Sequence, residues 1–307
     1  MQQALREVIK KLIRSHLEDG YIAMGQCLTA VGWVGGTLPE MYEEDGMIEL
    51  SMADVAGGGF AVGAALAGKR PIYIIRYQGF GWFNLPIILN YACKSKEIWN
   101  RPCPLLVRAI AMEGSIGPVA GSSHHSLAYR MPGIKIFSPM SGEEYRTMYN
   151  EFMSSDEVFY ASEHRGSFAN DQPIEDFLFP KPDFVVVAIS VTRFNAREAV
   201  INLNSNGIKV SLINIWRLKP FQLDQKQISV LSNSKFGILL LDDDYEYGAV
   251  ASIGLQISSL LPNPKRLSLM GLKDKSAGFS KNSDNLPPSV KEIQDRVLKL
   301  IKVEQEC

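Results

Sequence analysis

The sequence predicts an α/β protein of two domains, each a mostly parallel sheet flanked by helices. Three observations predict it: short apolar runs alternate with helical patterns, a polar Pro-containing stretch interrupts them near the middle, and a second alternation follows. The chain opens on "MQQALREVIKKLIRSHLEDG", where Leu5, Val8, Ile9, Leu12 and Ile13 recur at helical spacing between Lys and Arg. This reads as an amphipathic helix ended by Gly20 and not as a signal peptide. "YIAMGQCL" (21–28), "RPIYIIRY" (70–77), "CPLLVRAIAM" (103–112), "IKIFSP" (134–139) and "EVFYASE" (157–163) read as buried strands. Residues 54–67, 83–98 and 141–154 read as the helices between them.

Residues 164–182, "HRGSFANDQPIEDFLFPKP", are polar and carry Pro173, Pro180 and Pro182, the composition of a linker. After it come a strand at "DFVVVAIS" (183–190) and a helix at 193–206 ended by Gly207. "KVSLINIWRL" and "KFGILLLDDD" read as strands, and "GAVASIGLQISSLL" as a helix. The chain closes on "PPSVKEIQDRVLKLIK", a helix opened by Pro and Ser. The expected domains are 1–165 and 183–307, joined by 166–182.

Composition excludes more than it selects. With 32 basic and 33 acidic residues the formal net charge is -1, so charge makes no case for nucleic acid or a membrane surface. No uncharged apolar run approaches the roughly 20 residues of a membrane span. Cys27, Cys93, Cys103 and Cys307 show neither metal spacing nor CxxC and read as reduced thiols of a cytoplasmic protein. The third glycine of "GGGFAVG" comes one residue late for GxGxxG, and no GxxxxGK[ST], HExxH or GxSxG is present.

Three features carry chemistry. "SMADVAGGGFAVGAALAG" (51–68) holds one acid, Asp54, followed by fourteen uncharged residues, mostly Gly and Ala. Taken alone, this pattern favours an N-terminal acid on a helix packed closely against a neighbour. "RYQGFGWFN" (76–84) places Tyr77, Phe80, Trp82 and Phe83 just after a strand, where ligands bind in open α/β sheets; a hydrophobic interface explains them equally well. "GPVAGSSHHSLAYRMPG" (117–133) holds two of the four histidines, His124 and His125, in a loop leading out of a strand. Imidazoles there suit proton transfer near neutral pH, or lie exposed on a surface loop.

In order, these segments resemble one family: the β subunit of the thiamine-diphosphate-dependent decarboxylating component of 2-oxo acid dehydrogenases. More broadly, they resemble a transketolase-like pyrimidine-binding domain followed by a transketolase C-terminal domain. "MGQCL", "ADVAGGGFAVGAALAGKRPI", "NYACKSKEIW", "CPLLVRA" and "HHSLAYRMPGIKIFSPMSGEEY" carry the resemblance in the first domain. "INIWRLKPFQLD", "LLLDDDYEYGAVASIGLQI" and "LPPSVKEI" carry it in the second.

The resemblance implies that Asp54 hydrogen-bonds a ring nitrogen of the cofactor's aminopyrimidine, promoting the imino tautomer that makes the thiazolium ylide. It implies that Phe80 stacks on the pyrimidine, that Tyr77 borders the same pocket, and that His124 or His125 faces substrate. No GDG motif is present, so the diphosphate and its magnesium are expected on an α subunit in an α2β2 assembly with a β–β contact, and no metal on this chain. The family's acid is normally Glu, and Asp54 is one methylene shorter, roughly 1.5 Å of reach. Glu49 is a possible substitute, and the Gly57-Gly58-Gly59 run a possible means of backbone shift. Gln26 and Cys27 replace acids, and Pro86 stands where Asp is usual. The expected substrate is a 2-oxo acid, with acyl or aldehyde transfer. The alternatives are half of a split transketolase or carboligase acting on a sugar, and a non-catalytic partner of an α subunit.

Overall fold

Residues 3–30, 32–112, 121–275, 282 and 284–306 are described by the structure, a computed structural model. In chain order the strands are Ala23–Gln26 (β1), Met47–Leu50 (β2), Ile72–Ile75 (β3), Leu105–Ala111 (β4), Ile134–Phe137 (β5) and Val158–His164 (β6). Then follow Phe184–Ile189 (β7), Val210–Ile215 (β8), Arg217–Lys219 (β9), Ile238–Tyr245 (β10) and Leu267–Leu272 (β11). They form two sheets, in the orders β2-β1-β3-β4-β6-β5-β9 and β11-β10-β7-β8. All pairs are parallel except β5 with β9. Helices cover both faces, so the central strands are buried throughout and read as continuous apolar runs.

Arg108 interrupts the apolar run of β4. Its Nε and Nη2 donate to the two carboxylate oxygens of Glu163 on β6 at 2.7 and 2.8 Å, and the Tyr145 hydroxyl donates to Glu163 at 2.9 Å. Burying a charge is tolerable only with such pairing. The first helix, Leu5–Glu18, buries Leu5, Val8, Ile9, Ile13 and Leu17, the stripe its spacing predicts. Helix Gly142–Met153 starts at Ser141, whose hydroxyl accepts from the Glu144 amide.

Two sequence readings are corrected. "KVSLINIWRL" is not one strand. It divides at Trp216: β8 joins the second sheet, and β9 crosses to pair antiparallel with β5 in the first. An apolar run carries no signal of which sheet it serves. The helix expected over 83–98 is two helices, Gly81–Ile87 and Cys93–Trp99, joined by a π turn at Ile88–Ala92. Pro86 brings no N–H to that ladder. Phe177 exchanges both backbone hydrogen bonds with Leu212, covering the free edge of β8. Helix Gln225–Ser232 and strand β11 were not anticipated.

The chain runs from β1 outward to β2 and then back across to β3. The carboxyl end of β1 is therefore a topological switch point, the place where a crevice opens in an open α/β sheet.

Candidate functional site

A cavity of about 120 Å³ lies at that switch point, lined by Gln26, Cys27, Met52, Asp54, Tyr77, Phe80 and Asn84 among others. Gln26 ends β1 with Cys27 just after it, Met52 follows β2, Asp54 opens helix Asp54–Leu66, and Tyr77, Phe80 and Asn84 follow β3. The cavity thus gathers Asp54, Tyr77 and Phe80. A larger cavity, about 710 Å³, lies between residues 172–177 and helix Thr192–Ser205, and none of the predicted site residues lines it.

Asp54 is half-buried. Its Oδ1 accepts from Gln26 Nε2 at 3.1 Å and from Asn84 Nδ2 at 3.0 Å. Oδ2 accepts no hydrogen bond from the described residues. Glu49 is committed elsewhere: its carboxylate accepts from the backbone amides of Leu28 and Thr29 at 2.9 and 3.1 Å and does not line the cavity. Cys27 bends the chain beside Gln26 with φ 52°, a left-handed conformation uncommon outside glycine.

The glycines of helix Asp54–Leu66 divide by face. A Cβ on Gly57 would lie 2.6 Å from the Tyr73 hydroxyl, and one on Gly58 would lie 2.3 Å from the Asn84 carbonyl oxygen. Gly59 and Gly63 have nothing within 4 Å. We expect Gly58→Ala to destabilise the isolated chain by about 1–3 kcal/mol, because a backbone oxygen cannot swing aside. Gly59→Ala should be neutral or stabilise by up to about 1 kcal/mol through helix propensity. Urea unfolding of the two variants checks this; equal effects would refute the close approach.

Tyr77 and Phe80 stand 5.8 Å apart between ring centroids, tilted by 50°. Arg76 donates to the Tyr77 hydroxyl at 3.0 Å and lies over its ring. Phe80 is half-buried against the core, leaving part of its ring at the cavity.

The two histidines diverge. The His124 backbone amide donates to Gln78 Oε1 at 2.7 Å. Gln78 is itself buried and donates to the Ala109 carbonyl and the Ser162 hydroxyl, so it ties the histidine loop to the loop bearing Phe80. The half-buried His124 ring lies near Tyr245, and burial holds its pKa below the ordinary value. His125 is fully buried. Its Nδ1 pairs with Ser162 Oγ at 3.1 Å and its Nε2 with Asp242 Oδ2 at 3.0 Å. Burial alone would lower its pKa, but Asp242, Asp244 and Asp243 raise it to about 10, so the ring is an imidazolium at neutral pH. Residues 117–120 of the histidine loop lie outside the described residues.

Sequence reasoning missed Asn84, Gln78 and the Asp242–Asp244 run as supports of this region. The run ends β10. Asp242 holds His125, Asp243 accepts from the Ser123 hydroxyl at 2.6 Å, and Asp244 accepts from the Ser126 amide at 2.8 Å. Three acids closing an apolar strand signalled buried charge in need of partners. That those partners lie about 120 positions away was not readable. His125, Asp242 and Asp243 also place potential ligand atoms within 4.8 Å of one another, but the direct His125–Asp242 hydrogen bond already occupies that space. The described cysteines are unpaired, and burial pushes the Cys93 and Cys103 thiols up to about 12 and about 11. Cys307 lies outside the described residues.

Residues 4–169 match the family described as transketolase, pyrimidine binding domain. The chain belongs to this family. Among its relatives, the 2-oxoisovalerate dehydrogenase subunit beta of Bacillus subtilis (strain 168) is 23% identical over 232 residues, covering 70% of each chain. The pyruvate dehydrogenase E1 component subunit beta of Rickettsia felis (strain ATCC VR-1525 / URRWXCal2) is 22% identical over 326 residues, covering 98% of each. A solved split gene transketolase, described as an inactive beta4 tetramer, superposes with a TM-score of 0.74 at 16% identity. It covers 98% of this chain and 99% of its own, which shows a common fold.

The residues present fit the pyrimidine end of thiamine diphosphate. The cavity offers a carboxylate oxygen with no hydrogen-bond partner among the described residues, amide groups beside it and an aromatic face. Among the described residues no helix is long and apolar enough to cross a membrane.

Proposed function

We propose that this chain is the β subunit of a two-subunit thiamine-diphosphate enzyme, supporting decarboxylation of a 2-oxo acid with acyl or aldehyde transfer. The carrying observation is Asp54 Oδ2, a carboxylate oxygen that accepts no hydrogen bond from the described residues, in a cavity bordered by Phe80 at the sheet's switch point. Bound there, the cofactor would supply a nucleophilic carbon for chemistry at a substrate carbonyl. Asp54 would share a proton with the pyrimidine ring, Phe80 would stack on its face, and Tyr77 would close the side. His124, neutral at pH 7 and braced by Gln78, accepts and returns protons toward substrate. His125 has both ring nitrogens engaged and acts as a strut between the two sheets.

An apolar surface beside the site supports a partner. Met52, which lines the cavity, is 76% exposed, and Val55 and Phe60 (64%) on helix Asp54–Leu66 and Trp82 and Phe83 on helix Gly81–Ile87 are exposed as well. Exposed aromatics in such a group mark a protein interface. We assign it to an α subunit that carries the diphosphate and magnesium, in an α2β2 assembly in the cytoplasm. The two separate sheets support domains at 1–165 and 183–307, with 166–182 between them. A split transketolase half is the second reading, favoured by the end-to-end fold match with the split gene transketolase chain.

The test is to purify the chain with its α partner and titrate thiamine diphosphate with magnesium. Binding, followed by carbon dioxide release from 2-oxo acids, is expected. Turnover of ketoses alone would favour the second reading, and no binding would sink both. In the same assay Phe80→Ala should weaken cofactor binding by about 2- to 13-fold, the equivalent of about 0.5–1.5 kcal/mol of aromatic stacking. Unchanged affinity would remove Phe80 from the site.

A further inference from the structure

We propose that Asn84 is a positioning residue that holds the short acid Asp54 in register at this site; the inference rests on the cofactor reading above. Asn84 is buried, 3% exposed, on helix Gly81–Ile87. Its Nδ2 donates to Asp54 Oδ1 at 3.0 Å and to the Phe80 carbonyl at 2.9 Å. Its Oδ1 accepts from the Tyr73 hydroxyl, which is itself buried. The amide has one orientation. Both groups facing Nδ2 are acceptors, and the Tyr73 hydroxyl supplies the proton for Oδ1. One side chain therefore ties the acid to the backbone of the stacking ring.

The helix carrying Asp54 is brought up against the same two residues. Gly57 meets the Tyr73 hydroxyl and Gly58 meets the Asn84 carbonyl oxygen at distances no Cβ would allow. This close approach seats the start of the helix, and Asp54 with it, against Tyr73 and Asn84. The Asn84 and Gln26 amides then hold Oδ1 from two sides, which leaves Oδ2 as the oxygen available to a ligand. A longer acid at position 54 would push about 1.5 Å further into these amides. A glutamate at position 54 should therefore fit this pocket worse than the native aspartate, unless Asn84 is removed.

The experiment uses the complex with the α partner and two readouts: calorimetric affinity for thiamine diphosphate with magnesium, and exchange of the bound cofactor's C2 proton followed by NMR. Asn84→Ala should slow exchange by about 10- to 100-fold, the range of one hydrogen bond to a charged group. Its affinity should fall by less. Asp54→Glu alone should also slow exchange, and Asp54→Glu with Asn84→Ala should recover at least about tenfold over either single variant, a coupling expected of groups in contact. Tyr73→Phe keeps the core volume and Asn84 itself, and should shift exchange in the same direction by a smaller factor. If the unsubstituted complex binds no thiamine diphosphate, the cofactor reading fails and this inference with it. If it binds while Asn84→Ala and Tyr73→Phe exchange at the native rate, the inference alone is overturned. Additive losses in the double variant overturn it as well.

Discussion

Asp54→Ala is expected to lower C2-proton exchange of the bound cofactor by about 10²- to 10⁴-fold, the range for a positioned proton-transfer group. Folding should change by no more than about 1 kcal/mol, because Asp54 is half-buried and its local contribution is that of an acid in a first helical turn. The combination separates an enzyme from a relic. A non-catalytic partner of an α subunit would tolerate the substitution in both measurements. Native exchange in the Asp54→Ala complex would dismiss the catalytic assignment. Asp54→Asn is the companion variant: it preserves size while removing the charge, and should lose exchange to a similar degree.

The largest expected stability effect belongs to His125. His125→Leu removes the cation from a buried pair and strands Asp242, which should cost about 3–5 kcal/mol in urea unfolding. The pH dependence gives a sharper signature. The folded pKa, about 10, lies above the ordinary value of 6.5, so the folded state binds the extra proton. The contribution is fully present below pH 6.5 and is lost as pH rises through about 10. Native protein should therefore lose stability relative to His125→Leu between those limits. Parallel stability curves for the two proteins across that interval would show that the pair is not charged.

Much of the fold was legible because burial writes itself into the sequence. β4 and β7 sit under helices on both faces; β7 reads as an unbroken apolar run, and β4 is broken only by Arg108. The failures have the same origin. "KVSLINIWRL" was apolar enough to be one strand, and nothing local marked Trp216 as the point of departure for another sheet. In the site, Asp54 and Phe80 stood out because an isolated acid and an aromatic cluster at strand ends are unusual. Asn84 did not, because an amide four residues after Phe80 has no local signature; it matters through Tyr73 and Asp54, 11 and 30 positions away. The histidine pair was visible, but the two rings were indistinguishable until Ser162 and Asp242 were seen to enclose one of them.

The sequence by itself determined the two-sheet α/β class, the helix that presents Asp54 and the loops that present Phe80 and the histidines. Periodicity, glycine placement and lone charges are local properties, and local physics suffices to read them. Tertiary structure alone decided which carboxylate faces the cavity, which histidine is a strut and how a short acid is held. Each depends on hydrogen bonds between groups far apart in the chain. Their strength comes from burial, and burial exists only once the sheets have closed.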